Sequence, residues 1–243
     1  MRLLVSVRSA TEVAPAVAGG AEIIDAKEPS LGSLGAVSAA TLRAIVLALP
    51  STLPLSVALG DPADAASVAE AFAPLAGVAP HASETYVKLG LASVRDVSAA
   101  EALIAAALEA ASRAPARPAV IVVAYADHTA AGAPPRDVVS RLAAAAGARG
   151  VLLDTWMKDG RELFHHVGLS ELRRWVVDAK REGLLVALAG SLSAEGLKQV
   201  ADLPADVVGV RGAACIGGRE GAVSEERVRR LRSQLDERAL QPV

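Results

Sequence analysis

Three lysines and two aspartates stand where apolar runs of the chain end: Asp25 and Lys27 in IIDAK, Lys88 in YVKLGL, and Asp154 and Lys158 in VLLDTWMKDG. An ammonium group beside apolar strands is costly to desolvate unless it is paired or does chemistry. Desolvated lysines are also the side chains with which enzymes attack aldehydes and ketones to form Schiff bases. Asp25 and Lys27 are two residues apart, so in a strand their side chains share a face and can touch. A carboxylate nearby favours the ammonium form, whereas burial and neighbouring cations favour the nucleophilic amine. The bland alternative is a structural ion pair; position, residue type and company favour the chemistry.

Lys88 lies inside an apolar stretch, flanked by Val87 and Leu89, and is a candidate proton shuttle. The competing reading is a lysine whose long stem snorkels past the strand end to water. Asp154 suits orientation or deprotonation of a substrate. Lys158, four residues on, suits holding a phosphate or polarising an oxygen, or else is a solvated loop lysine beside Asp159. Asp127 closes another apolar run in the same manner.

Bringing these residues to one place requires a sheet that closes. Apolar, β-branched runs recur at LLVSV (3–7), EIIDAK (22–27), LPLSVALG (53–60), TYVKLGL (85–91), AVIVVAYAD (119–127), GVLLDT (150–155), LLVALAG (184–190) and DVVGVRG (206–212). Runs that are nearly continuous, not alternating, are what a parallel sheet covered on both faces shows. Eight of them in 243 residues fit an α/β fold of one domain spanning 1–243, a (β/α)8 TIM barrel, which typically needs about 250 residues. Helix signals fall between the runs: Ser9 with Glu12, Ser98 with Glu101, and the stretch from Leu169 to Glu182. Pro134 and Pro135 suit a helix start, and Gly147 and Gly183 suit helix ends. The last helix, SEERVRRLRSQLDERA, is charged nearly all round and reads as a solvated end of the fold. GGAEIIDAK and AGARGVLLDTWMK echo each other weakly, as two halves of a barrel would.

Composition excludes several function classes. Hydrophobic residues make up 52% and charged residues 21%, ample for a large core, and with aromatics at 2% that core must be built from Leu, Val, Ile and Ala. A net charge of −2 offers no electrostatic footprint for nucleic acid or an anionic membrane. No run reaches the roughly 18 apolar residues of a membrane span, and Arg8 and Glu12 interrupt the first run too early for a signal peptide. Cys215 is alone, so a reducing cytoplasm fits best.

The ends of the seventh and eighth runs place Gly190, Ser191, Gly212 and Ala213 where barrels often hold phosphate on backbone N–H groups. Arg211 adds charge there or only braces the strand. Adjacent His165 and His166 lack metal-ligand spacing, and no metal is expected. Cys215 reads as a packed thiol, and GGREGAV (217–223) as a flexible loop without a P-loop lysine.

Taken together, MRLLVSV, GGAEIIDAKEPSLGSLGA, YVKLGL, AYAD, LLDTWMKDGRELFHH, ALAGSL and DVVGVRGAAC resemble the (5-formylfuran-3-yl)methyl phosphate synthase family of methanofuran biosynthesis. Members occur in methanogens and methylotrophic bacteria, and the Ala-rich, Arg-rich composition would suit a bacterial one. The resemblance implies condensation of two glyceraldehyde 3-phosphate molecules into a furan bearing an aldehyde and a phosphomethyl group, with loss of one phosphate and two waters and without a cofactor. It implies Lys27 as the Schiff-base residue and Lys88 as the proton acceptor, with Asp25, Asp154 and Lys158 supporting acid-base steps. The wording departs from the family around PHASETYVK, which contains His81, and in the HTAAGAPPRD loop, which contains Thr129. A Schiff-base aldolase acting on triose phosphates shares every lysine named above. A phosphate-binding barrel isomerase without a covalent intermediate, and a catalytically silent barrel serving in assembly, are further alternatives. A homo-oligomer is expected, since barrels expose helices that pair.

Overall fold

In the computed structural model, residues 1–78 and 84–239 are described, and the segment around His81 lies outside them. Eight parallel strands close a barrel in sequence order: β1 (Arg2–Val7), β2 (Ile23–Ala26), β3 (Leu55–Ala58), β4 (Thr85–Leu89), β5 (Ala119–Tyr125), β6 (Gly150–Asp154), β7 (Leu185–Leu188) and β8 (Val207–Val210). β8 pairs with β1 to complete the ring, Leu4 lying opposite Gly209. Each strand falls within one of the eight apolar runs, except that β1 begins one residue earlier at Arg2, so the TIM barrel read from the sequence is the fold.

The connecting helices are α1 (Val13–Ala18), α2 (Ala39–Ala48), α3 (Ala65–Phe72), α4 (Val97–Arg113), α5 (His128–Ala131), α6 (Arg136–Ala146), α7 (Leu169–Arg181) and α8 (Ala194–Ala201), followed by α9 (Glu225–Ala239). The longer connecting helices α2, α4 and α7 each bury an apolar stripe. On α7 the stripe is Leu172, Trp175, Val176 and Ala179, at spacings of three and four. Trp175 also satisfies its indole N–H on Ser140 of α6 at 2.9 Å, so its large apolar ring is buried without an orphaned donor. None of the described helices is long and apolar enough to cross a membrane.

Four local expectations are corrected. Helix α4 is capped by Asp96, whose carboxylate accepts from Ala99 N at 2.9 Å, and Ser98 only donates to that carboxylate. A charged acceptor two residues earlier outcompetes the hydroxyl for the free N–H groups. Ser9 does not cap through its side chain, because Glu12 is buried and drawn to Arg211. The terminal helix α9 is not merely a solvated end: Val228, Leu231 and Leu235 are buried, and a Cβ on Gly19 would come within 2.5 Å of the Val228 side chain, so Gly19 permits the close approach. GGREGAV is ordered, forming a hairpin of β9 (Cys215–Ile216) and β10 (Ala222–Val223) around a short 3-10 turn. Gly221 is required there, since a Cβ would fall 1.8 Å from the Ile216 carbonyl oxygen.

Candidate active site

Strand register fixes which side chains enter the barrel. Ser6 lies opposite Asp25, Asp25 opposite Ser56, Ala58 opposite Lys88, and Tyr125 opposite Asp154, all on the inner face. Lys27 follows the end of β2, and its N–H still donates to Val7 O at 3.0 Å, which extends the ladder and keeps its side chain on the face of Asp25. The interior on the β7 and β8 side carries Ala187, Ala189 and Gly209. These small residues leave a cavity of about 370 Å³ running down the barrel from its C-terminal mouth, lined by Lys27, Lys88, Asp154 and Lys158.

The pairing inside differs from the sequence expectation. Asp25 forms no ion pair with Lys27; its partner is Lys88, whose Nζ lies 2.7 Å from each carboxylate oxygen. Ser56 and Ala58 on the intervening strand are small enough for Lys88 to reach across from β4. Ser6 donates a second hydrogen bond to Asp25 Oδ2 at 2.7 Å, whereas Oδ1 has no well-directed donor of its own. Burial would push the Asp25 carboxyl up, but Lys88 and Lys27 hold it below the ordinary range. On the far side, Lys158 donates to Asp154 Oδ1 at 2.7 Å and to Thr155 Oγ1 at 3.1 Å. Asp154 is likewise buried and held below the ordinary range by Lys158 and Lys27.

Lys27 is the exception. It is only 6% exposed, and among the described residues no hydrogen bond or ion pair engages its ammonium. Burial, with the Lys88 charge adding to it, lowers its pKa to about 7 against the opposing pull of Asp154 and Asp25. A substantial fraction is therefore neutral amine at physiological pH, the form that adds to a carbonyl.

Gly190, Ser191, Gly212 and Ala213 all line the cavity at the ends of β7 and β8. Gly190 and Ser191 adopt positive φ values of 113° and 54°, turning the chain sharply at the rim. Arg211 behaves differently. Its guanidinium donates to both carboxylate oxygens of Glu12, to Ser6 O, to Arg219 O and to Gly221 O, at 2.6 to 3.1 Å. All five N–H groups are engaged, so the side chain braces β8 against β1 and the hairpin and has no donor left for a ligand. Asp127 is also a brace: its carboxylate accepts from Trp156 N at 2.7 Å and Met157 N at 2.9 Å, fixing the loop that carries Lys158.

Several contributors escaped the sequence reading. Ser6 and Ser56 were detectable as lone hydroxyls within apolar strands. Tyr125 was hidden by its apolar neighbours; its hydroxyl donates at 2.6 Å to Asp61, an exposed loop residue whose carboxylate turns inward over Gly90. Burial pushes both groups up, Asp61 above the ordinary carboxyl range and Tyr125 well above that of a phenol, the latter helped by the Asp61 charge. Arg219, in the hairpin, also lines the cavity.

A closed parallel barrel with buried lysines and carboxylates at its C-terminal mouth is the architecture of an α/β-barrel enzyme. Comparison with known proteins narrows the class: the chain belongs to the family described as 4-HFC-P synthase, whose profile matches residues 3–232. It is 36% identical over 242 residues to (5-formylfuran-3-yl)methyl phosphate synthase of Methanothermobacter thermautotrophicus, covering 97% of this chain and 99% of the relative. The corresponding protein of Methanopyrus kandleri is 38% identical over 237 residues, with 96% and 98% covered. Among solved structures, 3-hexulose-6-phosphate synthase from Salmonella typhimurium superposes with a TM-score of 0.61 at 19% identity, covering 98% of this chain and 100% of that one. Phosphoribosyl anthranilate isomerase from Thermus thermophilus gives 0.59 at 17% identity, with 98% and 99% covered. At those identities the structural likeness concerns the barrel alone.

Proposed function

We propose that the protein condenses two molecules of glyceraldehyde 3-phosphate into (5-formylfuran-3-yl)methyl phosphate, releasing one phosphate and two waters. The atoms balance with no change of oxidation state overall, so no redox partner is required. Names carried by relatives along nearly the whole chain support this reading. The single observation within the site that carries it is the contrast among the cavity lysines: Lys88 and Lys158 are each held by a carboxylate, and Lys27 is not.

In this reading neutral Lys27 adds to the aldehyde of one triose phosphate and water leaves, giving an imine. The imine acidifies the adjacent carbon, whose proton passes to a base; phosphate then leaves the next carbon, and the resulting enol attacks through that carbon the carbonyl of the second triose in its ketone form. Lys88 receives and returns protons through its contact with Asp25, and Lys158 with Asp154 serves the dehydration steps on the opposite wall. The terminal hydroxyl of the ketone triose closes on the carbon next to the imine, two waters leave to give the aromatic ring, and hydrolysis of the imine frees Lys27 and the formyl group. Backbone at Gly190, Ser191, Gly212 and Ala213 holds a substrate phosphate.

Incubation with glyceraldehyde 3-phosphate and borohydride, followed by peptide mass analysis, tests the covalent step; near-ultraviolet absorbance without borohydride tests the product. A reduced adduct on Lys27 together with a furan chromophore is expected. An adduct without the chromophore would indicate an aldolase, and absence of both from folded protein would refute the Schiff-base reading.

A further inference from the structure

Charge accounting in the cavity singles out one more residue. Its lining includes five cationic side chains: Lys27, Lys88, Lys158, Arg211 and Arg219. Lys88, Lys158 and Arg211 are matched by Asp25, Asp154 and Glu12, respectively. Lys27 is neutral for much of the time near pH 7. Arg219 is half-buried, and among the described residues it forms no ion pair with a carboxylate. A guanidinium does not lose its proton in this environment, so Arg219 supplies the permanent positive charge that the cavity leaves uncompensated.

The placement of Arg219 is built. The hairpin that carries it is fixed by β9 pairing with β10, and its own carbonyl accepts from Arg211 Nε at 2.9 Å. Its Nη2 reaches across the mouth to the loop after β2, donating to Pro29 O at 2.9 Å and also to Gly32 O. Among the described residues Nε and Nη1 donate to nothing, which leaves three N–H groups on two nitrogens for a ligand. Its backbone N lies 3.6 Å from where a Cβ on Gly212 would stand, so it adjoins the β8 turn.

We propose that Arg219 is a substrate-binding residue, the side-chain counter-ion for the phosphate monoester dianion of the triose phosphate. The ligand's identity rests on the function proposed above; the phosphate chemistry does not. Arg219 closes over the anion from the hairpin while the β7 and β8 turns hold it from the barrel rim. Because the same guanidinium grips the loop that follows Lys27, phosphate occupancy and closure of the mouth are joined in one side chain. Arg211, one turn away, carries the same charge but is consumed by Glu12 and backbone carbonyls.

Titration of the full chain with inorganic phosphate, for the wild type, Arg219→Gln and Arg219→Lys, tests the assignment alongside borohydride trapping with unphosphorylated glyceraldehyde. Removing one charge-assisted contact should weaken phosphate binding about tenfold in Arg219→Gln, with part of the affinity kept in Arg219→Lys. Trapping of unphosphorylated glyceraldehyde on Lys27 should be unchanged in both variants. Equal phosphate affinity in Arg219→Gln and wild type would overturn the assignment. So would a parallel loss of phosphate binding and glyceraldehyde trapping, which would make Arg219 a loop brace only. If wild type traps neither aldehyde, the Schiff-base reading falls while the phosphate titration still decides the role of Arg219.

Discussion

The two ends of this barrel treat charge in opposite ways. At the N-terminal end Arg2 meets Glu84 at 3.7 Å and the Tyr86 hydroxyl at 3.1 Å, with the Arg2 and Glu84 side chains 35% and 42% exposed. At the C-terminal mouth the Asp25 and Lys88 side chains are 0% and 6% exposed, and Lys27 is buried with no hydrogen-bond or ion-pair partner among the described residues. Water screens the first group, so it adds little stability and asks for none. The second group is desolvated and must be held together by the rest of the fold. In the function proposed above, the charges at the mouth carry the chemistry and the other end closes the barrel.

The largest separation between the ends should come from Lys27→Met. Removing a buried amine that no carboxylate among the described residues pairs should abolish furan formation and borohydride trapping while raising stability by about 1–2 kcal/mol, or roughly 2–8 °C in Tm for a domain of this size. Calorimetry beside an activity assay checks both signs, and a fall in Tm would break the contrast. Next in size is the Asp25 and Lys88 pair. Asp25→Leu strands a buried ammonium and should destabilise by about 3–5 kcal/mol in denaturant titration. Adding Lys88→Met to it should recover much of that loss without restoring activity, so additive single effects would contradict the pairing. The smallest effect is expected at the other end: Glu84→Gln should change stability by less than about 1 kcal/mol and leave turnover unaltered.

The barrel was legible in the sequence because strands buried on both faces leave unbroken apolar runs, and the acidic and basic residues ending those runs were conspicuous against them. The pairing was not legible. Asp25 and Lys27 are neighbours along the chain, but the partner of Asp25 comes from β4, across a strand whose small residues Ser56 and Ala58 give it room. Which of two cavity-lining arginines keeps donors free was equally hidden. Arg211 stands at a strand end where ligands bind, and only the fold shows Glu12 brought from the other side of the ring closure to occupy it. Arg219 lay in a glycine-rich segment that composition marks as a loop, because the tight packing that demands Gly221 has no signature in one sequence.

Lys27 can be observed directly by reductive methylation with ¹³C-formaldehyde at a series of pH values, with the Lys27 peptide quantified against surface lysines. The reacting form is the neutral amine, so with the pKa lowered to about 7 labelling should climb as pH rises through about 7 and level off above it. Surface lysines should still be rising well beyond that point. An inflection for Lys27 near that of the surface lysines would mean that it carries a full charge at neutral pH, and would contradict its role as the free amine of the mouth.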